Sequence, residues 1–263
     1  RGETFMSGNA GNKKTGENDY IVIKGDIYGK TKSETRIFQP NKWSIKMEKA
    51  IVVISGGMDS TTLLYETKHD GYDISAISFD YGQKHKKELE CARQTCHKLG
   101  IKHKIIPLDV LNALAPLALT RKEWDVPEGH YADDNMKQTV VPNRNMVMLS
   151  LATSYAISLK AKYLFYGVHS GDHAIYPDCR PDFYNYMTDA IMRADWHEVL
   201  LRAPYIMQDK GDIVMRGKDL NVDYSLTWTC YQGREKACGK CGSCVERLEA
   251  FEKAGIDDPV EYE

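Results

Sequence analysis

Long apolar runs are absent from the 263-residue sequence. A helix that crosses a membrane needs about 20 consecutive apolar residues, so no membrane segment is predicted. No secretion signal is predicted either, and the seven cysteines are therefore expected in a reducing, cytoplasmic environment without a disulfide framework.

An excess of charge of either sign is missing as well. The 35 basic side chains stand against 37 acidic ones, which gives a formal net charge of −2. Binding of nucleic acid through a global positive field is therefore not expected, although a local basic patch would still be compatible with the composition. The length suffices for one large α/β domain or two small ones.

The first 46 residues differ in composition from the rest of the chain. Their beginning is rich in Gly, Asn and Lys, and Met47 stands just ahead of the first strong strand pattern. We predict an N-terminal extension of undetermined role over residues 1–46 and a main domain over residues 47–263.

The strongest local pattern is an apolar strand that runs into two glycines and then into a helix, over residues 50–64. Gly56 and Gly57 allow a sharp turn and place no side chain between the backbone and a ligand. The free N–H groups and the dipole of the following helix favour an anion such as phosphate. Ser55 and Ser60 add hydroxyl donors, and Asp59 stands at the helix start. The pattern suits a phosphate site, but two glycines that merely join a buried strand to its helix would give the same pattern, so the residues alone leave both interpretations open.

Strands and helices alternate along the rest of the main domain. The apolar patterns predict strands over residues 73–79, 102–108 and 162–168, and helices over 61–70, 86–99, 146–159, 184–194, 210–220 and 245–254. This order predicts an α/β fold with a Rossmann-like parallel sheet, in which loops at the carboxyl ends of the strands gather at the ligand. The loop after the second strand, with Asp80, Tyr81, Gln83 and His85, is therefore expected near the nucleotide.

Arg144 follows a long segment, residues 112–140, that has little regular pattern and is expected to form a lid or an insertion. At the start of the next helix, the Arg144 guanidinium is either a bidentate donor to phosphate or carboxylate or a helix-start group in a salt bridge. The residues alone leave both interpretations open.

The loop after the fourth strand carries His169, Asp172 and His173 between glycines. A metal site is disfavoured, because no third close metal ligand with helical spacing appears. A loop that faces a bound small molecule is favoured instead. Further on, Cys179 has no base partner implied by spacing, and an inert thiol is favoured over a nucleophile.

Four cysteines crowd into a C-x7-C-x2-C-x2-C pattern near the C-terminus, at Cys230, Cys238, Cys241 and Cys244. The short spacers contain glycine and let four thiolates converge on one ion, for which Zn²⁺ is expected. Four sulfur ligands leave no open coordination position, so the site should be structural. An iron–sulfur cluster also accepts four cysteines, but nothing else in the sequence indicates electron transfer. We therefore predict a zinc knob over residues 229–246.

The loop Ser55-Gly56-Gly57-Met58-Asp59-Ser60 resembles the SGGxDS loop with which the PP-loop ATP pyrophosphatases hold the pyrophosphate of ATP. Four later motifs distinguish members of this superfamily: YGQKH at residues 81–85, VPNRN at 141–145, YPDCRP at 176–181 and LTWTCY at 226–231. Together with the four cysteines, they resemble the QueC family from about Met47 to the C-terminus. Residues 1–46 have no counterpart in that pattern.

The resemblance implies an ATP-dependent conversion of 7-carboxy-7-deazaguanine and ammonia into 7-cyano-7-deazaguanine, through an acyl-adenylate and an amide, in the biosynthesis of queuosine-type bases. It implies ATP, Mg²⁺ and Zn²⁺ as cofactors. Catalytic roles are implied for Asp59, Ser60, Lys210 and Arg144. Nucleotide contacts are implied for Ile54, Ser55, Gly56, Gly57, Met58, Asp59, Ser60, Thr61 and Gly167. Substrate contacts are implied for Tyr81, Gln83, His85, Asp172, Asp178 and Arg180.

Three other functions remain open at this point. An enzyme with the same site could stop at the amide after one adenylation. A tRNA-modifying PP-loop enzyme would grip RNA with the cysteine knob, which the near-neutral charge disfavours. A relative that joins a deazaguanine to a protein has only residues 1–46 in its favour. The expected partners are small-molecule substrates, with no nucleic acid and no membrane, and a second copy of the chain is a candidate for a homodimer.

Overall fold

The computed structural model describes residues 47–83, 86–114, 140–232 and 234–263. The predicted N-terminal extension, His85 and residues 115–139 of the predicted lid lie outside these ranges. The boundary at Met47 and the lid therefore stay predictions. No helix within the described ranges is long and apolar enough to cross a membrane.

A parallel sheet forms the centre of the described chain. Its strands are β1 (Lys49–Val53), β2 (Asp73–Asp80), β3 (Lys102–Pro107), β4 (Tyr163–Phe165) and β5 (Leu200–Arg202). They lie in the order β3-β2-β1-β4-β5, and each neighbouring pair is parallel. The α/β class and the parallel sheet predicted from the sequence are confirmed. The short strand β5 was not predicted.

Helices connect the strands and cover both faces of the sheet. Those in the described ranges are α1 (Met58–His69), α2 (Lys87–Leu99), α3 (Asp109–Leu114), α4 (Arg144–Leu159), α5 (Pro181–Met192), α6 (Lys210–Asp219) and α7 (Gly242–Ala254). Helix α5 begins at Pro181, ahead of the predicted start, because proline suits a first helical position that needs no N–H donor. Helix α6 begins at Lys210 because Asp209 and Asp212 form a capping box ahead of it.

The side chains of β1 alternate between the two faces of the sheet. Ile51 packs in a cluster with Leu149 of α4, whereas Ala50 and Val52 pack in a cluster with Leu63 of α1 on the opposite face. Because both faces are buried, β1 reads in the sequence as a continuous apolar run.

The strand order reverses between β1 and β4, which lie side by side at the centre of the sheet. At such a reversal the connections leave the two strands toward opposite faces and open a crevice at the carboxyl edge. The loop after β1, with the predicted phosphate site, and the loop after β4 meet at this crevice.

The C-terminal region packs against α6 and is held together by a buried arginine. Helix α7 lies on α6, and Arg247 of α7 is only 1% exposed. Its guanidinium donates two hydrogen bonds to Asp258, at 2.7 and 2.8 Å, and one to the Thr227 hydroxyl at 2.9 Å. This buried cation ties the C-terminal tail and the segment ahead of the cysteines to α7.

Candidate active site

The phosphate loop, residues 54–57, is held in shape by two hydroxyl groups. The Ser60 hydroxyl accepts a hydrogen bond from the Ser55 N–H at 3.1 Å, and the Ser55 hydroxyl accepts one from the Gly57 N–H at 3.1 Å. Gly57 precedes α1 without any side-chain cap. The first-turn N–H groups of α1 have no intrahelical acceptor, so this end of the helix is suited to an anion.

Two glycines permit close backbone contacts around the phosphate loop. Gly56 has a φ of +99°, and a Cβ there would lie 1.9 Å from the backbone oxygen of Glu88 in α2. A Cβ on Gly167, after β4, would lie 3.3 Å from the Cα of Ser60. Both glycines therefore bring neighbouring elements against the loop, and Gly56 does so in a conformation that other residues rarely adopt.

A cluster of charged side chains lies at the start of α1. The Nζ of Lys210 is 2.5 Å from the Oε2 of Glu246 and 3.8 Å from the Oδ2 of Asp59. The Nε2 of His169 is 3.9 Å from the same Asp59 oxygen and 3.4 Å from the Oδ2 of Asp172. Segments that are far apart in the sequence thus bring three carboxylates, one ammonium and one imidazole together.

The protonation of two members of this cluster follows from their surroundings. The Nδ1 of His169 accepts a hydrogen bond from the Gly171 N–H at 3.1 Å, so a neutral ring carries its proton on Nε2 and donates toward Asp172. Burial lowers the pKa of Lys210, but the carboxylates of Glu246, Asp59 and Asp172 outweigh it and leave the pKa raised above its usual value. The side chain of Lys210 is therefore a stable cation.

Arg144 stands at a second, aromatic side of the crevice. Its guanidinium lies 5.7 Å from the centre of the Tyr176 ring. Desolvation lowers the pKa of Arg144, but its neighbours Tyr81, Tyr176, Cys179 and Asp178 together raise it by more, so the guanidinium keeps its positive charge. Burial raises the pKa of the Tyr81 hydroxyl, which therefore stays protonated and can donate a hydrogen bond.

Asn145, which the sequence analysis did not single out, fixes the start of α4. Its backbone N–H donates to the Asp178 carboxylate at 3.0 Å, and its side-chain amide donates to the Asp178 carbonyl at 3.1 Å and to the Cys179 sulfur at 3.2 Å. Burial raises the pKa of Cys179, which agrees with the inert thiol favoured from the sequence.

One cavity of about 220 Å³ joins the phosphate loop to the aromatic side. Many of the predicted site residues line it: Ile54, Ser55, Gly57, Asp59, Ser60, Tyr81, Gln83, Arg144, Gly167, Asp172 and Lys210. It is also lined by residues that the sequence analysis did not predict as ligands: Val53, Phe79, Glu88, Leu89, Asn145, Met148, Tyr166, Val168, His169, Cys179, Thr229, Tyr231 and Ser243. Asn145, Cys179, Thr229 and Tyr231 belong to the quoted motifs, and Tyr166, Val168 and His169 follow β4, so these positions carried a signal that could have found them.

Some predicted nucleotide contacts lie behind the cavity wall. Gly56 packs against α2, Met58 packs with Val214 and Phe251, and Thr61 is fully buried. None of the three is among the lining residues.

Several predicted substrate contacts make hydrogen bonds to other protein groups. The Gln83 amide accepts from the Tyr81 N–H at 2.9 Å and donates to the Phe79 carbonyl at 3.2 Å, so it shapes its own loop. The Asp178 carboxylate accepts a hydrogen bond from the Asn145 N–H. The exposed Arg180 donates a hydrogen bond of 2.8 Å to the His173 carbonyl. His85 is outside the described residues.

The four cysteines of the predicted knob converge in a buried cluster. Their sulfur atoms lie within 4.8 Å of one another, and those of Cys238 and Cys244 are 3.9 Å apart. Four sulfurs about 2.3 Å from one zinc ion would be about 3.8 Å apart, so the spacing suits tetrahedral zinc. The N–H groups of Cys238 and Cys241 point at neighbouring sulfurs, at 3.4 and 3.3 Å. The donor set fits a closed structural zinc site.

Comparison with known proteins gives concordant matches. The family model described as queuosine biosynthesis protein QueC matches residues 49–255. The chain is 62% identical over 215 residues to a 7-cyano-7-deazaguanine synthase of Methanoregula boonei, an alignment that covers 82% of this chain and 99% of that protein. It is 61% identical to one of Caldicellulosiruptor saccharolyticus, over 82% and 96% of the two chains. The solved NH3-dependent NAD synthetase from Campylobacter jejuni is 18% identical over 69% of this chain and 67% of its own, with a TM-score of 0.44, too low to support an inference.

Proposed function

The chain belongs to the QueC family of queuosine biosynthesis proteins, and we propose from this premise that it is a 7-cyano-7-deazaguanine synthase. Such an enzyme is an ATP-dependent ligase that converts 7-carboxy-7-deazaguanine and ammonia into the nitrile. The family resemblance stated from the motifs is confirmed. The observation that carries the assignment of the site is that one cavity joins the phosphate loop to an aromatic side that holds Arg144.

The aromatic side of the cavity is assigned to the deazaguanine. Phe79, Tyr81, Tyr166 and Tyr231 line it and offer apolar area to a planar ring system. Arg144 supplies a permanent cation with several N–H donors, which suits the 7-carboxylate of the substrate.

The phosphate loop is assigned to ATP. The first-turn N–H groups of α1 and the hydroxyls of Ser55 and Ser60 are donors for the oxygens of the pyrophosphate. The two hydroxyls are 3.1 Å apart and bonded to one another and to the loop, so they need only rotate to reach a phosphate. Lys210 adds a cation on the side of Asp59 and His169.

The reaction begins with activation of the carboxylate, because a carboxylate is a poor electrophile. One of its oxygens attacks the α-phosphorus of ATP, and the bond to pyrophosphate breaks. Arg144 orients the carboxylate, while the phosphate loop and Lys210 stabilise the charge that develops on the pyrophosphate. Ammonia then adds to the acyl carbon, AMP leaves with the oxygen, and the nitrogen loses one proton, which gives the amide.

A second round on the same site yields the nitrile. The amide oxygen attacks the α-phosphorus of a second ATP, and pyrophosphate leaves again. AMP then departs with the remaining oxygen, the nitrogen loses its protons, and the carbon–nitrogen triple bond forms. Each oxygen of the original carboxylate therefore ends in one molecule of AMP, so two ATP are used for each nitrile. The name of the curated relatives supports the nitrile over an enzyme that stops at the amide.

The charged cluster suits a magnesium ion. The carboxylates of Asp59, Asp172 and Glu246 gather around Lys210, and the Oδ1 of Asp59 is buried without a hydrogen-bond partner among the described residues. Carboxylate and phosphate oxygens are the ligands that Mg²⁺ prefers. Asp59 would hold the ion, which supplies neutralising charge beside the pyrophosphate.

The cysteine knob is assigned a structural role. Four buried sulfurs fill the coordination shell of zinc and leave no position for an activated water. Two of the three basic side chains of the knob, Arg234 and Lys236, pair with Glu263 and Glu261 at 2.7 and 3.1 Å, which disfavours RNA binding by the knob. We propose that the partners are the small-molecule substrates, in a chain that acts alone or as a homodimer.

Isotope tracing tests the proposed function. Zinc-loaded protein would be incubated with ATP, Mg²⁺, ammonium and 7-carboxy-7-deazaguanine that carries ¹⁸O in both carboxylate oxygens. The expected result by mass spectrometry is the nitrile with two AMP, each labelled with one ¹⁸O. The amide with one labelled AMP would identify an enzyme that stops after one adenylation. Absence of both products would contradict the proposal, and tight binding of bulk tRNA at moderate salt would revive the RNA-modifying alternative.

A further inference from the structure

Glu246 lies where three parts of the site meet. Its Oε2 is 2.5 Å from the Nζ of Lys210 on α6. Its Oε1 faces the loop after β4, since a Cβ on Gly171 would lie 2.5 Å from that oxygen. The residue itself belongs to α7, the helix that starts at the cysteine cluster. The carboxylate therefore contacts the predicted catalytic lysine and packs against the loop of His169 and Asp172.

Helix α7, which carries Glu246, is held in place at its start and at its middle. Cys241 caps α7 and Cys244 lies in its first turn, so the cysteine cluster holds its start. The neighbouring Arg247 holds its middle through the buried pair with Asp258. A side chain on such an element has little freedom to shift and can place a partner with precision.

The contacts of the Lys210 ammonium explain why a well-placed carboxylate matters. It is 7% exposed, so few water molecules can orient its three protons. The Oδ2 of Asp59 is 3.8 Å away, beyond hydrogen-bond distance, whereas the Glu246 oxygen is within it. The short contact with Glu246 therefore sets the direction of one ammonium N–H and holds the group beside Asp59.

We infer that Glu246 is a positioning residue for both adenylation steps: it holds the Lys210 ammonium beside Asp59, ready for the charge that develops on the leaving pyrophosphate. The inference rests on the proposed function and on the role given there to Lys210. A preorganised cation stabilises the transition state without reorganisation during the reaction, so the contribution appears in kcat. A plain structural ion pair would instead contribute to stability alone.

A double-mutant cycle tests the inference. Glu246→Gln keeps the shape of the side chain and removes its charge, and we expect kcat to fall about 10- to 100-fold while the KM for the deazaguanine stays within about twofold. Melting temperature and zinc content should remain near those of the wild type. Glu252→Gln, at an exposed position of the same helix, is the matched control and should leave kcat unchanged. In a Lys210→Met background, Glu246→Gln should add less than about a twofold further loss, because residues that act through one another are not additive.

The possible results distinguish a failure of the role given to Glu246 from a failure of the proposed synthase activity. If wild-type protein forms the nitrile and Glu246→Gln forms it at the same kcat, the inference is wrong and the function stands. An equal loss from Glu246→Gln with and without Lys210, or a loss that only follows a fall in zinc content, would also overturn it. Wild-type protein that forms neither nitrile nor amide overturns both. Partial recovery of kcat in Glu246→Asp, which keeps the charge on a shorter arm, would support it.

Discussion

The backbone N–H of Trp228 donates a hydrogen bond of 3.0 Å to the carbonyl oxygen of Gly56. Gly56 lies within the phosphate loop, and Trp228 stands just ahead of the first cysteine of the knob, where its indole N–H donates to the Cys230 carbonyl at 3.1 Å. Thr229, Tyr231 and Ser243 then line the cavity from the same side. The segment that leads into the cysteine knob therefore forms one wall of the site.

Gly56→Ala should destroy the phosphate loop. The added Cβ would meet the backbone oxygen of Glu88 at 1.9 Å, and the φ of +99° would strain any residue but glycine. Gly71→Ala is the matched control, since it has a φ of +83° with nothing within 4 Å of the new Cβ. We expect the control to lose only about 1 kcal/mol of unfolding free energy, from the strained φ. Melting curves and ATP binding by calorimetry measure both effects, and equal behaviour of the two variants would refute the packing explanation.

Asp59→Asn should abolish turnover without unfolding the protein. As a helix-start residue alone, Asp59 would contribute about 1 kcal/mol, and its loss would leave the rate almost unchanged. As the carboxylate that holds Mg²⁺ beside the pyrophosphate, its removal should lower kcat by about two or more orders of magnitude. Steady-state rates at saturating Mg²⁺, recorded with a melting curve, decide between the two. Asp70→Asn, at the exposed end of the same helix, should behave like the wild type.

Cys241→Ser should lower zinc content, melting temperature and soluble yield together. The energy of binding a structural zinc ion acts as folding energy, and a hydroxyl is a poor replacement for a thiolate ligand. Activity should fall in proportion to the folded, zinc-loaded fraction, which atomic absorption and melting curves report. A stable, zinc-containing Cys241→Ser protein without turnover would be incompatible with a structural site.

The structure also selects the control for that experiment. Cys91, Cys96 and Cys179 are buried cysteines outside the four-cysteine pattern and are the candidates for a control. Cys179 lines the cavity, and Cys91 packs against the cysteine cluster, so neither is independent of the site. Cys96 lies in the core beside α1, and burial raises the pKa of its thiol to about 12, so it is a neutral core side chain. Cys96→Ser should keep full zinc content.

Arg247→Met should be among the most destabilising single changes in the C-terminal region. It would leave the Asp258 carboxylate, 4% exposed, without its bidentate partner. Removal of one partner of a buried ion pair costs about 3–5 kcal/mol. The exposed pair of Arg234 and Glu263 gives the control, because Arg234→Met should cost at most about 1 kcal/mol. Chemical denaturation of zinc-loaded protein measures both, and a similar cost for the two variants would contradict the assigned role of the buried pair.

Local patterns were sufficient to predict much of this protein. A possible anion site at the phosphate loop could be predicted because a strand, two glycines and a helix start follow one another directly. Backbone geometry at such a turn suits an anion without help from distant residues. The convergence of the four cysteines was predictable because short spacers keep four thiols together in any compact fold. The parallel sheet followed from the alternation of strands and helices, although β5, only three residues long, carried too weak a pattern.

Tertiary packing decided which of the remaining polar residues share the site. Nothing in the spacing of Lys210 and Glu246 indicates that they touch, because their contact exists only where α7 lies on α6. Packing also placed Arg180 at the surface and turned Gln83 onto its own backbone, although both belong to motifs of the family. The sequence thus determined the sites that short-range geometry builds. The folded chain alone determined the charged cluster, since the energy of a buried ion pair depends on which side chains the core brings within a few ångströms.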